Sequence, residues 1–150
     1  MLLNFMLSAR GMILDRWLTR YIGKSFTTYL FAKAQSQQPR PALVLVSQGR
    51  VSGRLFDAVL PYSMVGEDYL VVGSSGGSAE DPNWVKNLRV NSTAQIVENR
   101  KACETVARFV QGEEYHRIWR QLVEEKPVYA EYQQRCMQSR QIPVIILSKV

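Results

Sequence analysis

The feature that most limits the fold of this 150-residue chain is the order of its short apolar runs, which follow one another with mostly brief turns between them. Six runs predict strands, at 42–46, 55–62, 69–72, 94–97, 102–110 and 142–147. Consecutive strands joined by short turns pair in antiparallel fashion, whereas a parallel pair needs a long crossover connection. We therefore predict an α+β protein, built from a mainly antiparallel sheet or small barrel with three or four helices.

Residues 1–40 differ from the rest of the chain in charge. They hold six arginine and lysine side chains against one aspartate, which accounts for most of the net charge of +6. Apolar residues recur among these basic residues at near-helical intervals, so the segment is predicted to be an amphipathic basic helical extension. Residues 41–150 form the second predicted unit, and its nearly neutral charge argues against nucleic acid as a partner.

Two interpretations of the basic extension remain open. It packs on its own domain, or its apolar and basic side chains lie on an anionic membrane surface. No uncharged apolar run approaches the length of about 20 residues that a membrane span needs, and no secretory cleavage signal is evident. We expect a cytoplasmic protein, with peripheral attachment to the inner face of the membrane as the second interpretation.

Reactive side chains are scarce in this sequence. The two cysteines, Cys103 and Cys136, lack metal-ligand spacing, and the single histidine, His116, makes a catalytic triad hard to build. We therefore predict no metal site, and the low cysteine content is typical of a reducing compartment. No pair of acidic residues suggests acid–base catalysis. A bound cofactor is a better prediction than catalysis by the protein's own side chains.

One stretch, residues 71–91, combines a strand end, a small-residue loop and a helix start. The loop at 73–78 contains only glycine and serine, so backbone amides can approach a ligand closely. Asp81 followed by Pro82 predicts an N-cap and the first helical residue. The stretch is either an anion cradle at a helix N-terminus or an ordinary strand-to-helix connection. We predict that the glycine-rich turn at 49–54 meets it at one end of the sheet.

Three blocks of sequence, spread from about Pro41 onwards, carry a family resemblance. They are Gly49-Arg50-Val51-Ser52-Gly53; Ser74-Ser75-Gly76-Gly77 with Pro82-Asn83-Trp84 and Asn87-Leu88; and Tyr129-Ala130-Glu131-Tyr132 with Ile142-Pro143-Val144. In this order they resemble the deazaflavin-dependent nitroreductases and quinone reductases. The resemblance implies a split β-barrel of mainly antiparallel strands with flanking helices and an N-terminal helical extension. It also implies coenzyme F-420 as cofactor and hydride transfer to a quinone or nitroaromatic acceptor, and it is compatible with a homodimer.

The resemblance also implies which residues form the site. Those implied to bind the cofactor are Arg50, Ser52, Arg54, Ser74, Ser75, Gly76, Gly77, Trp84 and Asn87. Arg50 and Ser52 would bind the phosphate of the cofactor tail through charge-assisted hydrogen bonds, and Trp84 and Asn87 would complete the tail pocket. The residues implied to act on the substrate side are Ser74, which would polarise a substrate or ring oxygen, and the aromatic wall of Tyr62, Tyr129 and Tyr132.

Four positions depart from the family pattern. Val51 and Ser75 stand where basic residues are usual, and Leu55-Phe56 replaces a proline–arginine pair. Fewer positive charges weaken the hold on an anionic tail, although Arg54 would supply one nearby. The alternative prediction is therefore an FMN-binding or redox-inactive split barrel, whose N-terminal helix docks on a membrane or a protein partner.

Overall fold

The computed structural model describes residues 8–22, 25–34 and 41–150. The helices in these ranges are α1 (Ala9–Ile22), α2 (Phe26–Ala34), α3 (Asn83–Val90), α4 (Gly112–Glu125) and α5 (Val128–Cys136). The strands are β1 (Ala42–Gln48), β2 (Leu55–Pro61), β3 (Ser63–Val65), β4 (Asp68–Val72), β5 (Thr93–Glu98), β6 (Lys101–Phe109) and β7 (Val144–Lys149). Residues 35–40 and the first apolar residues of the predicted extension lie outside the described ranges.

The seven strands form one sheet in the order β2-β1-β5-β6-β7-β4-β3, and every neighbouring pair is antiparallel. β2 and β3 stand at opposite edges of this order, yet Tyr62 alone separates them along the chain. The sheet must therefore curl until its two edges approach each other, as in a half-open barrel. This confirms the predicted α+β split-barrel fold.

The strand predicted at 55–62 corresponds to β2, which ends at Pro61, and the short strand β3 that follows it was not predicted. The amide of Tyr62 donates to the carbonyl of Pro41 at 3.1 Å, and the next residue, Ser63, already pairs with β4 at the other edge. Pro61 suits the end of β2, because proline has no N–H to donate to a ladder. The chain thus changes edges at the end of the predicted strand, and β3 adds a seventh strand to the six that were predicted.

Two apolar clusters support the sheet and hold its helices. The first contains fully buried side chains from β1, α3, β5 and β7: Leu43, Leu45, Val85, Leu88, Ile96, Ile145 and Leu147. The second contains Tyr115, Ile118, Leu122 and Tyr129 of α4 and α5, with residues of β4 and β7. Val85 and Leu88 fix α3 to the barrel, so the N-terminus of α3 has a defined position.

Helix α1 packs against β1, β2 and β5. The residues that it buries are small or polar, at Gly11, Asp15 and Thr19, and they lie one turn apart along one side of the helix. The Asp15 carboxylate accepts hydrogen bonds from Ser25 Oγ at 2.7 Å and from the amide of Phe26 at 2.6 Å, so it caps the start of α2. Five large apolar side chains of α1 are exposed instead: Met12, Ile13, Leu14, Trp17 and Tyr21.

The C-terminal end of α1 is tied to the barrel as well. Arg100, on the β5–β6 hairpin, donates its amide to the carbonyl of Arg20 and its Nε to the carbonyl of Tyr21, both at 3.1 Å. Among the described helices, none has the length and apolar character that a bilayer crossing requires. The division of the chain at residue 40 stays a prediction.

Candidate functional site

The strand directions bring two loops to one end of the barrel. Four antiparallel steps separate β1 from β4 in the sheet, so both strands run in the same direction. The turn at 49–54 follows β1 and the loop at 73–82 follows β4, and both therefore leave the sheet at the same end, as predicted. α3 begins directly after the second loop and lies beside the turn at 49–54.

A cleft of about 480 Å³ opens between that turn, β2 and the N-terminus of α3. It is lined by Gly49, Arg50, Val51, Ser52, Phe56, Asp57, Ala58, Asn83, Trp84 and Asn87. A Cβ atom at Gly49 would lie 2.5 Å from Cε2 of Phe56, so a larger residue there would displace this aromatic ring of the cleft wall. Four predicted cofactor residues, Arg50, Ser52, Trp84 and Asn87, thus meet in one cavity.

Asn87 positions Arg50 near the N-terminus of α3 through hydrogen bonds. Its Oδ1 accepts from the Arg50 amide and from Arg50 Nη1, each at 3.2 Å, while its Nδ2 donates to Ser47 Oγ at 3.3 Å. Arg50 Nη1 also donates to Asn83 Oδ1 at 3.3 Å. Both asparagines therefore orient one edge of the guanidinium, and no hydrogen bond within the described ranges uses Nε or Nη2 of Arg50.

The cleft also presents backbone donors. The amides of Val51, Ser52, Asn83 and Trp84 take part in no hydrogen bond among residues 8–22, 25–34 and 41–150. The last two belong to the first turn of α3, where the helix dipole favours a negative charge. Arg50 and these amides together suit an anionic group, although Asp57 brings one carboxylate to the wall.

The loop at 74–77 is separate from this cleft and packs on α5. The backbone of Ser74 has the right-handed helical conformation, whereas Ser75, Gly76 and Gly77 have positive φ angles of 46°, 63° and 79°. A right-handed residue followed by a left-handed one forms a nest, in which successive amides point into a concavity that accepts an anion or oxygen. The amides of Ser75 and Gly76 donate to no acceptor in the described part of the chain. Gly77 lies against the backbone of Tyr132.

The remaining predicted residues lie in three places. Arg54 is exposed in the turn at 49–54, where its amide donates to Ser52 Oγ at 3.4 Å. Tyr132 is half-buried beside the loop at 74–77, and Tyr129 is buried between α4 and α5, with its ring 6.3 Å from that of Tyr132. Tyr62 is buried at the opposite end of the barrel and is not brought together with the others.

The sequence did not indicate Arg140, which donates hydrogen bonds to the loop that follows β4. The role predicted for Asp81, as an N-cap, was also wrong. Asp81 was predicted to be an N-cap, but α3 begins after Pro82 without a side-chain cap. The Asp81 carboxylate instead accepts from Arg140 at 2.8 Å and from Arg89 at 3.1 Å. Charge-assisted bonds to two guanidinium groups outcompete a single bond to a helix amide. Arg140 lies outside every motif, so the sequence did not indicate its role.

At the far end of the barrel, Glu98 joins two tyrosines. The hydroxyls of Tyr62 and Tyr69 both donate to its carboxylate, the second at 2.9 Å. Burial, followed by the hydrogen bond to Glu98, raises the pKa of both phenols above the ordinary value of 10.0. Burial likewise raises the pKa of Tyr115 to about 12, and its hydroxyl donates to the carbonyl of Ile142 at 2.9 Å.

The raised pKa values of these phenols predict that the protein loses stability at alkaline pH. A folded-state pKa above the unfolded value gives a contribution that is complete below about pH 10 and disappears as pH rises through the folded-state pKa. We therefore expect the urea midpoint to fall between about pH 10 and the Tyr115 value of about 12. Tyr115→Phe should flatten part of this decline, whereas Tyr29→Phe, at a tyrosine that is 45% exposed, should not. Equal curves for both variants would contradict the assignment.

Comparisons with known proteins point to one enzyme family. The profile of the F420H(2)-dependent quinone reductase family matches residues 27–149. The F420H(2)-dependent quinone reductase Rv1261c of Mycobacterium tuberculosis H37Rv is 31% identical over 151 residues, which cover 92% of this chain and 99% of the relative. A solved F420-H2 dependent reductase (FDR-A) is 33% identical, with a TM-score of 0.62, over 73% of this chain and 95% of the other. A structure described as a domain-swapped dimer is 27% identical, with a TM-score of 0.63, over 97% and 98%.

The family match begins at residue 27 and so includes most of α2, whereas the resemblance of the three blocks began at about Pro41. An FMN-binding or redox-inactive barrel is not favoured by these similarities. The chain belongs to the F420H(2)-dependent quinone reductase family, and it is accordingly a deazaflavin-dependent oxidoreductase whose cofactor is coenzyme F-420.

Proposed function

We propose that the protein reduces a quinone, with the cofactor tail held in the cleft around Arg50 and the ring beside the loop at 74–77. The observation that supports this most directly is the cleft itself, where a guanidinium and uncommitted backbone amides converge at a helix N-terminus. Family membership favours a quinone over the nitroaromatic acceptor that the sequence left open. When bound, the reduced deazaflavin supplies the hydride, and the protein supplies orientation.

The donors of the cleft fit a phosphorylated tail. Asn83 and Asn87 fix the Nη1 side of Arg50, which leaves its remaining N–H groups for phosphate oxygens. The amides of Ser52 and Trp84 add neutral donors on either side. With Val51 in place of a basic residue and Asp57 in the wall, this cleft offers less positive charge than the family pattern, so Arg50 carries most of the attraction.

The loop at 74–77 and α5 form the second half of the proposed site. The nest amides of Ser75 and Gly76 are suited to a ring oxygen, and the Ser74 hydroxyl, which has no partner among the described residues, can donate to an oxygen of the ring or the acceptor. Tyr132 contacts this loop through its backbone at Gly77, and its half-buried ring would supply an aromatic surface for a flat acceptor. These residues would thereby orient both reactants.

Arg50→Gln tests the tail pocket. Loss of a charge-assisted contact should weaken binding of coenzyme F-420 about tenfold to a hundredfold, as measured by fluorescence titration. The deazaflavin core without its phosphorylated tail should bind both proteins equally. Arg117→Gln, an exposed change on α4, is the matched control. Equal losses for the intact cofactor and the core would contradict the proposal, and faster oxidation of the reduced cofactor by nitroaromatics than by quinones would reverse the proposed acceptor preference.

We also propose that α1 attaches the protein, from the cytoplasmic side, to an anionic membrane surface. Ile13, Trp17 and Tyr21 recur every fourth residue and are 61%, 54% and 46% exposed. Arg10 and Arg20 are exposed on the same helix and complement anionic lipid headgroups. Since α1 already packs on the barrel through its small and polar side, its apolar side is the one left to meet lipid.

Vesicle flotation tests this surface. Wild-type protein should float with vesicles that contain anionic lipid and much less with zwitterionic ones, and the double change Ile13→Gln and Trp17→Gln should reduce flotation about tenfold or more. Met137→Gln removes another exposed apolar side chain, outside α1, and should have no effect. A second copy of the chain is the competing occupant of this face. Unchanged flotation together with a lower molecular mass in solution for the double variant would support a homodimer instead.

A further inference from the structure

We propose that Arg140 is a positioning residue for the cofactor, because its guanidinium holds the loop at 73–81 in the shape that presents Ser74 and the nest amides. Arg140 lies between α5 and β7 and belongs to none of the three sequence blocks. The inference rests on the proposed function for its consequence in binding, but the state of the loop can be measured without any cofactor.

The contacts of Arg140 span both ends of the loop. Nη1 donates to the carbonyl of Gly73 at 3.0 Å, Nη2 to that of Ser74 at 2.8 Å, and Nε to that of Ser78 at 2.9 Å. Nη1 also donates to Asp81 Oδ1 at 2.8 Å. The side chain is only 9% exposed. Four of its five N–H groups are therefore committed to this loop, and they hold protein atoms rather than a ligand.

The loop needs such a clamp because its backbone is strained. Ser75, Gly76 and Gly77 are all left-handed, and this is unfavourable for Ser75, which has a Cβ atom. The bonded carbonyls lie just before and just after these three residues. A planar fork that joins both ends fixes the distance between them, and so preserves the conformation in which the amides of Ser75 and Gly76 remain free for a ligand.

Only an arginine can make this set of contacts. Three carbonyls and a carboxylate accept from Nε, Nη1 and Nη2 in one plane, whereas a lysine offers three donors at a single point. Asp81 balances the charge of this largely buried guanidinium and also accepts a hydrogen bond from Arg89. Arg135 also donates to the loop, at Gly76, but its bond is longer, at 3.3 Å, and exposed.

Hydrogen exchange on the cofactor-free protein tests the clamp first. In Arg140→Lys, the amides of Gly77 and Ser78, which donate to Ser74 and Ser75 in the native loop, should exchange at least tenfold faster. Amides in β1 and β5 should keep their protection. Arg117→Lys, on an exposed part of α4, is the control and should change neither region. Unchanged exchange in the loop, or an equal rise throughout the barrel, would overturn the proposal.

Binding and chemical rescue complete the test. Arg140→Lys should weaken binding of coenzyme F-420 about tenfold. Millimolar guanidinium added to Arg140→Gly should recover much of the loop protection and of the cofactor affinity, while the same concentration of ammonium should not. Faster loop exchange with unchanged affinity would refute a positioning role. Failure of the wild-type protein to bind the cofactor would instead contradict the proposed function, and the exchange result would still decide whether Arg140 holds the loop.

Discussion

Gly77→Ala is expected to lower the free energy of unfolding by about 3 kcal/mol, the combined cost of a left-handed alanine and of steric overlap in a packed region. The φ of Gly77 is +79°, and a Cβ atom there would lie 2.6 Å from the carbonyl oxygen and 2.9 Å from the Cα of Tyr132. Both contacts are to the backbone of α5, which cannot move aside as a flexible side chain can. Urea denaturation measures the loss directly.

Gly76→Ala provides the matched control for this change. Its φ is +63°, close to that of Gly77, but a Cβ atom there would meet nothing within 4 Å. It should therefore cost only about 1 kcal/mol, from the left-handed conformation alone. Similar losses for the two variants would show that contact with α5 contributes little. The loop must shift in the Gly77→Ala protein. The affinity of this variant for coenzyme F-420 should therefore fall more than the affinity of the Gly76→Ala variant.

Asn87→Ala should cost about 2–3 kcal/mol of unfolding free energy, although alanine is the better helix former. Asn87 is 3% exposed and its amide group bonds in two directions, to Arg50 and to Ser47. Its removal leaves the buried Ser47 hydroxyl and the Arg50 amide without these partners. The Arg50 guanidinium loses an anchor as well, so the affinity for the phosphorylated tail should fall together with stability.

The comparison residue for this prediction is Asn83, one turn earlier on the same helix. It accepts from the same Nη1 atom of Arg50, but it is exposed. Asn83→Ala should therefore change the free energy of unfolding by no more than about 0.5 kcal/mol, as is usual for surface positions. An equally large loss in both variants would mean that the bonds to Arg50, rather than burial, decide the cost.

The sequence was most informative where local pattern and topology agree. Short strands joined by turns predicted a mainly antiparallel sheet or small barrel, and the glycine-rich turns at 49–54 and 73–78 were correctly expected at one end of it. The change of edges at Tyr62 was not predicted, because the three residues of β3 are too short a run to indicate a strand of their own. Periodicity identified a basic helix but did not show that Gly11, Asp15 and Thr19 would form its packed side. That choice depends on the strands that the helix meets.

The same distinction applies to the residues that were predicted to bind the cofactor. Arg50, Ser52, Trp84 and Asn87 lie in two sequence blocks that the fold brings together, so a resemblance could name them and the structure gathers them in one cleft. Arg140 could not be named, because its partners are mostly backbone carbonyls, which carry no sequence signature. The roles of all these residues in binding the cofactor stay proposals until the variants are measured.

The antiparallel pairing of β4 with β7 has a consequence for synthesis on the ribosome. Val71 pairs with Ile145, so β4 emerges long before the strand that lies beside it in the sheet. β6 also lacks a neighbour on one side until β7 emerges, since β7 lies between β4 and β6 in the sheet. Until β7 emerges, both strands present unpaired edges to other chains. Chaperones that cover such edges should therefore matter most for the nascent chain at this stage.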